Sequence, residues 1–148
     1  GVVGRASGID RDLRRDRPFA AYHECPPKMA VYRYGDVRAR MRVRLDEVHD
    51  SIRLIRALHR QLPMGLLMTQ SVEVPTPGQW AISAVEGWRG EIIYVVMAGA
   101  EGRIHRCKVR DPSFVHWPAI QWAALGNIVP DFPLINKSFN LSYAGNDL

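Results

Sequence analysis

A mainly helical α+β fold is what this 148-residue sequence predicts, and three observations carry the prediction. A long stretch from Asp36 to Pro63 repeats apolar residues at helical spacing. Three runs rich in β-branched and aromatic residues follow between about 79 and 110, and a second helix-like stretch, about 113–126, opens on Asp-Pro and ends at Gly126.

The opening GVVGRASG has the glycine density of an irregular, turn-rich loop, and IDRDLRRDRP then surrounds two apolar residues with alternating charges before Pro18, so no long helix is expected here. PFAAYHECPP reads as an extended connection closed by Pro26 and Pro27. The long helix, about 36–62, starts at Asp36, a residue whose short carboxylate caps free backbone N–H groups, and stops before Pro63, which cannot continue it. Met41, Leu45, Val48, Ile52, Ile55 and Leu62 fall on one stripe, the expected core face, and the helix would be about 40 Å long at 1.5 Å per residue. QWAISAVEG, EIIYVVMAG and RIHRCKVR predict a small antiparallel sheet, about 79–110, with Gly99 to Gly102 turning a hairpin. After the helix of DPSFVHWPAIQWAALGN, the segment IVPDFPLINKSFNLSYAGNDL is broken by prolines and reads as terminal irregular chain.

Composition agrees with a water-soluble domain over 1–148: 47% of residues are hydrophobic, 24% are charged, and no apolar run reaches the 18 or so residues of a membrane span. The start at Gly1 reads as that of a fragment, without a secretory signal. Cys25 and Cys107 lie too far apart for a CxxC site or a disulfide-dense scaffold, which makes a reducing cytoplasm the default. A net charge of +5, nearly all from arginine, invites a nucleic-acid or an acidic-partner reading. Yet the first 17 residues hold five arginines against three aspartates, with no interleaved aromatic ladder, so nucleic acid is not expected.

Metalloprotease, P-loop and nucleophile-elbow motifs do not occur, and the five histidines lack ligand spacing. Two charged arrays stand out. Asp10, Asp12 and Arg14, beside Arg5, can build a buried ion network that tunes a proton-transfer group, or form a solvated loop of alternating charge. Glu86, Arg89 and Glu91, set among Gly87 and Gly90, suit polar work at a strand junction, or an ordinary turn. Arg106, Lys108 and Arg110 make a basic strand that resists edge-to-edge aggregation.

Four ordered blocks, RASGIDRDLRRDRPFAAY, GDVRARMRVRLDEVHDSIRLIRALHRQLP, EGWRGE and RCKVRDPSF, resemble the C-terminal portion of the hydrogenase-like large subunit of respiratory complex I. EGWRGE and the ending from His116 to Leu148 look more like the large subunit of formate-hydrogenlyase or hydrogenase-4 type complexes. The resemblance runs from about Arg5 to Leu148 and implies that the family's N-terminal portion is absent. In nickel-iron hydrogenases of this superfamily a C-terminal CxxC binds the metals. Aligned by SYAG, this sequence has Ser142 and Gly145 there, which implies no nickel-iron centre.

The resemblance further implies a subunit of a membrane-associated respiratory complex, peripheral on the cytoplasmic face of the cell membrane. Electrons would pass from NADH or another donor, through iron-sulfur clusters of partner subunits including an iron-sulfur small subunit, to a quinone. No cofactor is expected on this chain, and no turnover by it in isolation. Asp10, Asp12, Arg14, Glu86, Arg89 and Glu91 are implied as cavity or proton-relay residues, and Arg106, Lys108 and Arg110 as partner contacts. A structural, non-catalytic subunit of a hydrogenase-4 or formate-hydrogenlyase-like complex is the alternative.

Overall fold

The computed structural model describes residues 1–65, 68 and 73–147. Among the described residues five α-helices and a three-stranded sheet run in the order α1 (Val2–Ala6), α2 (Leu13–Asp16), α3 (Val37–Arg60), β1 (Trp80–Gly87), β2 (Gly90–Ala98), β3 (Ile104–Arg110), α4 (Pro112–Ala124) and α5 (Phe132–Phe139), of which α3, the sheet and α4 stand where the sequence places them. The mainly helical α+β class read from the sequence is the class observed.

Helix α3 begins where its cap requires, with Asp36 Oδ1 accepting the Ala39 N–H at 2.6 Å. It is held by two apolar clusters. Val2 and Ala6 of α1 pack on Ala39 and Val43, and Ile120 of α4 with Ile135 and Phe139 of α5 builds a second cluster that reaches Val37. Arg40, buried at 3% exposure, bridges them: its guanidinium lies 4.2 Å from the Phe139 ring centre and donates to Ser138 Oγ at 2.8 Å and to the Gly35 carbonyl at 2.6 Å.

The face of α3 that packs is not the stripe expected to form the core. Met41, Leu45, Val48, Ile52, Ile55 and Leu62 are all exposed, Ile55 to 66%, whereas Ala39, Arg40, Val43 and Leu54 are buried. Periodicity measures where apolar side chains lie on a helix, not which side a neighbour covers. The covered side is disguised in the sequence because it carries Arg40 and Glu47 among its aliphatic residues.

Two segments read as irregular contain helix. Pro133 stands in the first turn of α5, where its missing N–H costs nothing, so the proline-broken ending still forms a helix that Asn140 closes at φ 54°. In the N-terminal stretch α1 and α2 each make about one turn, α2 capped by Asp12, whose side chain accepts the Arg14 N–H.

The sheet is a meander in the order β1-β2-β3, both pairs antiparallel. β1 and β2 are joined through Trp88 and Arg89, with Glu86 opposite Glu91 and Gly87 opposite Gly90. Like charges directly opposite in a sheet repel, so each of these two carboxylates needs its own cations. That requirement draws the N-terminal arginines onto the hairpin. Asp111 caps α4 at the end of β3, its Oδ1 accepting the Ser113 N–H at 2.7 Å.

Candidate functional site: a buried ion network beside an open cleft

Arg5 is 1% exposed because α1 packs Val2 and Ala6 against α3, which carries the intervening guanidinium into the interior. A charge there must be matched by opposite charge or hydrogen bonds. Asp12 supplies the closest match, its Oδ2 accepting from Arg5 Nη1 at 2.7 Å. Arg14 grips the same carboxylate as a fork, Nε to Oδ1 at 2.9 Å and Nη2 to Oδ2 at 2.7 Å. Glu86, at the end of β1, accepts from Arg5 Nη1 at 3.3 Å and from the Leu13 N–H at 3.3 Å. The fifth member is Glu47 of α3, which pairs with Arg5 Nη2 and stands 3.5 Å from Arg14 Nη2. Four separate elements and 81 positions of sequence are thereby tied at one guanidinium.

Side chains alone give the network three carboxylates against two guanidiniums, and the Gly1 amino group, 2.8 Å from Glu86 Oε1, adds a third positive charge in this chain. The excess falls unequally. Burial by itself would raise the Asp12 carboxyl, but the Arg14 hydrogen bonds with the charges of Arg14 and Arg5 reverse that and hold it below the usual carboxylate range. Burial pushes Glu47 up, Asp12 adds to the push, and Arg5, Arg14 and the Gly1 amine only partly oppose it. Two neighbouring carboxyls are thus driven in opposite directions, Asp12 toward its ionised form and Glu47 toward its neutral form. The side chain of Glu47 keeps 16% exposure.

Glu47 opens on a cleft of about 340 Å³ lined by Arg14, Glu47, Val48, Ile52, Glu86 and Trp88. A larger open cleft, about 800 Å³, lies at the other end of the sheet between Pro77 and Ile104, away from the network.

Of the residues singled out in the sequence, Asp12, Arg14 and Glu86 come together here. Asp10 pairs with Arg15 at 2.5 Å on the surface, outside the network. Arg89 is expected beside Glu86 from the sequence, and its guanidinium instead donates to the Asn140 carbonyl, tying the β1–β2 turn to the end of α5. Glu91 is neutralised separately by Arg110 and by Arg11, the latter at 3.3 Å. Arg106 and Lys108 lie on the exposed part of β3. Glu47 escapes a reading of the sequence, because the apparent core stripe places it on the solvent side of the helix. His116, which lacks ligand spacing, has a buried Nδ1 without a partner, and burial followed by the Gly1 amine lowers its pKa against the pull of Asp111.

At the C-terminal turn the Ser142 N–H donates to Ser113 Oγ and the Gly145 N–H donates to Ser142 Oγ, both at 3.0 Å. A Cβ on Gly145 would stand 2.7 Å from Asp111 Oδ1 and 2.6 Å from its Cγ. A thiolate therefore has no room there unless the α4 cap moves, so the residues present at this turn do not fit a nickel-iron site. Among the described residues no group of three or more His, Cys, Asp or Glu side chains is placed to hold a metal ion.

Two matches to one protein family, described as the 49 kDa subunit of respiratory-chain NADH dehydrogenase, cover residues 1–82 and 66–147. A carbon monoxide-induced hydrogenase of Rhodospirillum rubrum is 36% identical over 95% of this chain and 38% of its own length. Formate hydrogenlyase subunit 5 of Escherichia coli is 33% identical over 99% of the chain and 26% of its own. An NADH-quinone oxidoreductase subunit of Clostridium beijerinckii is 32% identical over 92% and 37% respectively. The chain thus spans between about a quarter and two-fifths of the length of these relatives.

Proposed function

Because the chain belongs to the family of the 49 kDa subunit of respiratory-chain NADH dehydrogenase, we propose that it works as part of a respiratory oxidoreductase complex at the membrane surface, where its ion network delivers protons to a reduced quinone. The carrying observation is the opposed displacement of Asp12 and Glu47 around Arg5, at the mouth of a cleft that also offers Val48, Ile52 and Trp88. Such a cleft suits an apolar ring bearing polar oxygens. Electrons come from NADH or another donor through iron-sulfur clusters of partner subunits. Each of two electrons reaching the quinone is matched by one proton; Glu47 gives a proton to a quinone oxygen and regains one from solvent, while Asp12 stays ionised and holds Arg5 and Arg14 in place.

The complex lies against the cytoplasmic face of the cell membrane in this reading, and it accords with the peripheral placement that no helix among the described residues is long and apolar enough to cross a membrane. Nickel-iron chemistry has no part in the proposal, and the absence of space for a side chain at Gly145 supports leaving it out.

The test is quinone reduction by the assembled complex carrying Glu47→Gln, with reduction of a soluble one-electron acceptor as control. Quinone turnover should fall at least tenfold while the control is unchanged. Undiminished quinone turnover would remove the proton role and leave the second reading, a structural subunit of a hydrogenase-4 or formate-hydrogenlyase-like complex, which the similarity to formate hydrogenlyase subunit 5 favours. Arg89→Ala separates positioning from chemistry: loosening the turn at Asn140 should change the quinone KM more than the turnover number.

A further inference from the structure

The chain leading into α3 forms a second charged site, apart from the ion network. The Tyr32 N–H donates to the Arg5 carbonyl and the Gly35 N–H to the Ala6 carbonyl, both at 2.8 Å, which pins this segment along α1, and Gly35 at φ 64° turns the chain into the helix. Tyr32 packs on the cluster of Val2, Ala6, Ala39 and Val43 while its hydroxyl donates to Asp46 at 2.6 Å, so the ring is held at both ends. Arg42 lies over that ring, its guanidinium carbon 5.9 Å from the ring centre. Arg38 stands one turn earlier on the same side of α3, and Tyr34 beside it is 87% exposed. Tyr32, Tyr34, Asp36, Arg38, Ala39 and Arg42 line a pocket of about 170 Å³. At 100° per residue its two arginines fall roughly 60–100° to one side of the exposed apolar seam from Met41 to Ile55, between that seam and the face that α1 covers.

The pocket lacks negative charge to match its arginines. Asp36, in its wall, spends Oδ1 on the Ala39 N–H at 2.6 Å, and Asp46 is taken by Tyr32. Among the described residues neither Arg38 nor Arg42 has an ion-pair partner. Arg38 also sits in the first turn of a 24-residue helix that has no acid there, where the aligned amide dipoles disfavour a cation. An anion arriving from outside relieves both deficits. Size limits what it can be. Pockets for small-molecule ligands hold about 300–1,000 Å³, so a nucleotide is too large here and a single carboxylate side chain is not. Sites that hold anionic lipid gather about 4–8 Lys or Arg in one patch, against the pair here with Asp36 between them. A net charge of +5 on the chain draws an acidic polypeptide toward it at longer range.

We propose that this pocket is a docking site for an acidic segment of a different polypeptide, with one Asp or Glu side chain seated between Arg38 and Arg42 and its neighbours in that segment lying on the Tyr34 ring. A guanidinium holds a carboxylate through two parallel N–H donors, and the exposed ring supplies apolar area for the segment to cover. None of the six residues lines the cleft beside Glu47, so the docking is independent of what that cleft binds.

A benzophenone amino acid in place of Tyr34 in the protein's own cells, with the same group at exposed Arg17 as control, tests this. Irradiation should give at Tyr34 a cross-link at least about five times stronger than at Arg17, to a peptide of a different polypeptide with Asp or Glu within about three residues of the joined position. Arg38→Glu with Arg42→Glu should cut that yield at least about fivefold, because like charges then face one another, while Arg38→Lys with Arg42→Lys should keep about half of it or more. Both arginines are exposed, so the thermal midpoint should stay put in each pair. If the charge reversal moves it, Arg38→Gln with Arg42→Gln is read instead and should cut the yield about threefold. Cross-linking to lipid, to the same polypeptide or a second copy of it, or to a peptide without a nearby acid would each overturn the proposal. So would a yield no greater than at Arg17, or one indifferent to loss of the two charges.

Discussion

Replacing Arg5 by Met removes the one cation shared by Asp12, Glu47 and Glu86. Breaking a buried ion pair by deleting one partner costs about 3–5 kcal/mol, because the other charge is left without compensation. Here the cost falls at the low end. Asp12 keeps the Arg14 fork, Glu86 keeps the Gly1 amine at 2.8 Å, and Glu47, 16% exposed, can draw on water. The expected loss is about 3 kcal/mol at pH 7.

Its pH dependence follows from the two displaced carboxyls. Glu47 is raised in the folded protein, so its contribution is present below its ordinary value of 4.5 and is lost as pH rises through the folded value. Arg5 is one of the charges restraining that rise, so its removal moves the folded value higher and deepens the loss at neutral pH. Asp12 is lowered, and its contribution is present above 3.8 and lost as pH falls through its folded value. Arg5 supports that lowering, so the share of the deficit due to Asp12 stays in place at pH 5 and closes only in stronger acid. Urea unfolding of wild type and Arg5→Met, followed by far-UV circular dichroism at pH 5 and pH 7, reads the Glu47 effect, both pH values lying above the window in which Asp12 titrates. The gap should be about 3 kcal/mol at pH 7 and clearly smaller at pH 5. A gap below about 1 kcal/mol, or one equal at the two pH values, refutes the network as a shared burial of charge.

Three further outcomes are expected. Val43→Asp, at a position with no exposure, should cost several kcal/mol in thermal melting, whereas Ile52→Asp on the open seam should cost about 1 kcal/mol or less; equal losses would contradict the packing of α3. Asp111→Asn removes a negative charge that raises His116, so NMR titration should find the imidazole moved further downward, and an unmoved curve would show that Asp111 does not act there. Gly145→Ala should destabilise by about 1–3 kcal/mol, since its Cβ meets Asp111 at 2.7 Å and displaces the α4 cap, and a neutral result in urea unfolding would mean that the turn yields freely.

Local chemistry is legible in the sequence wherever one element decides the outcome. Asp36 and Asp111 cap helices as read, the β1–β2 and β2–β3 hairpins form where glycines allow them, and EGWRGE falls on the strand junction. The charged arrays admit an ion network or a solvated loop in the sequence, because opposite charges close along the chain can pair in either setting. Only the tertiary structure could choose its members. Arg5, Asp12 and Glu86 meet because α1 packs on α3 and β1 ends beside α2, and Glu47 joins them from a helix face that looks solvated. Arg89, three residues from Glu86, turns instead to Asn140, which distance along the chain could not foretell. The same limit explains the misplaced core of α3. Apolar spacing fixes the seam from Met41 to Ile55 as a surface that avoids water, but burial is a property of two surfaces, and the one α1 and α5 cover is the opposite side.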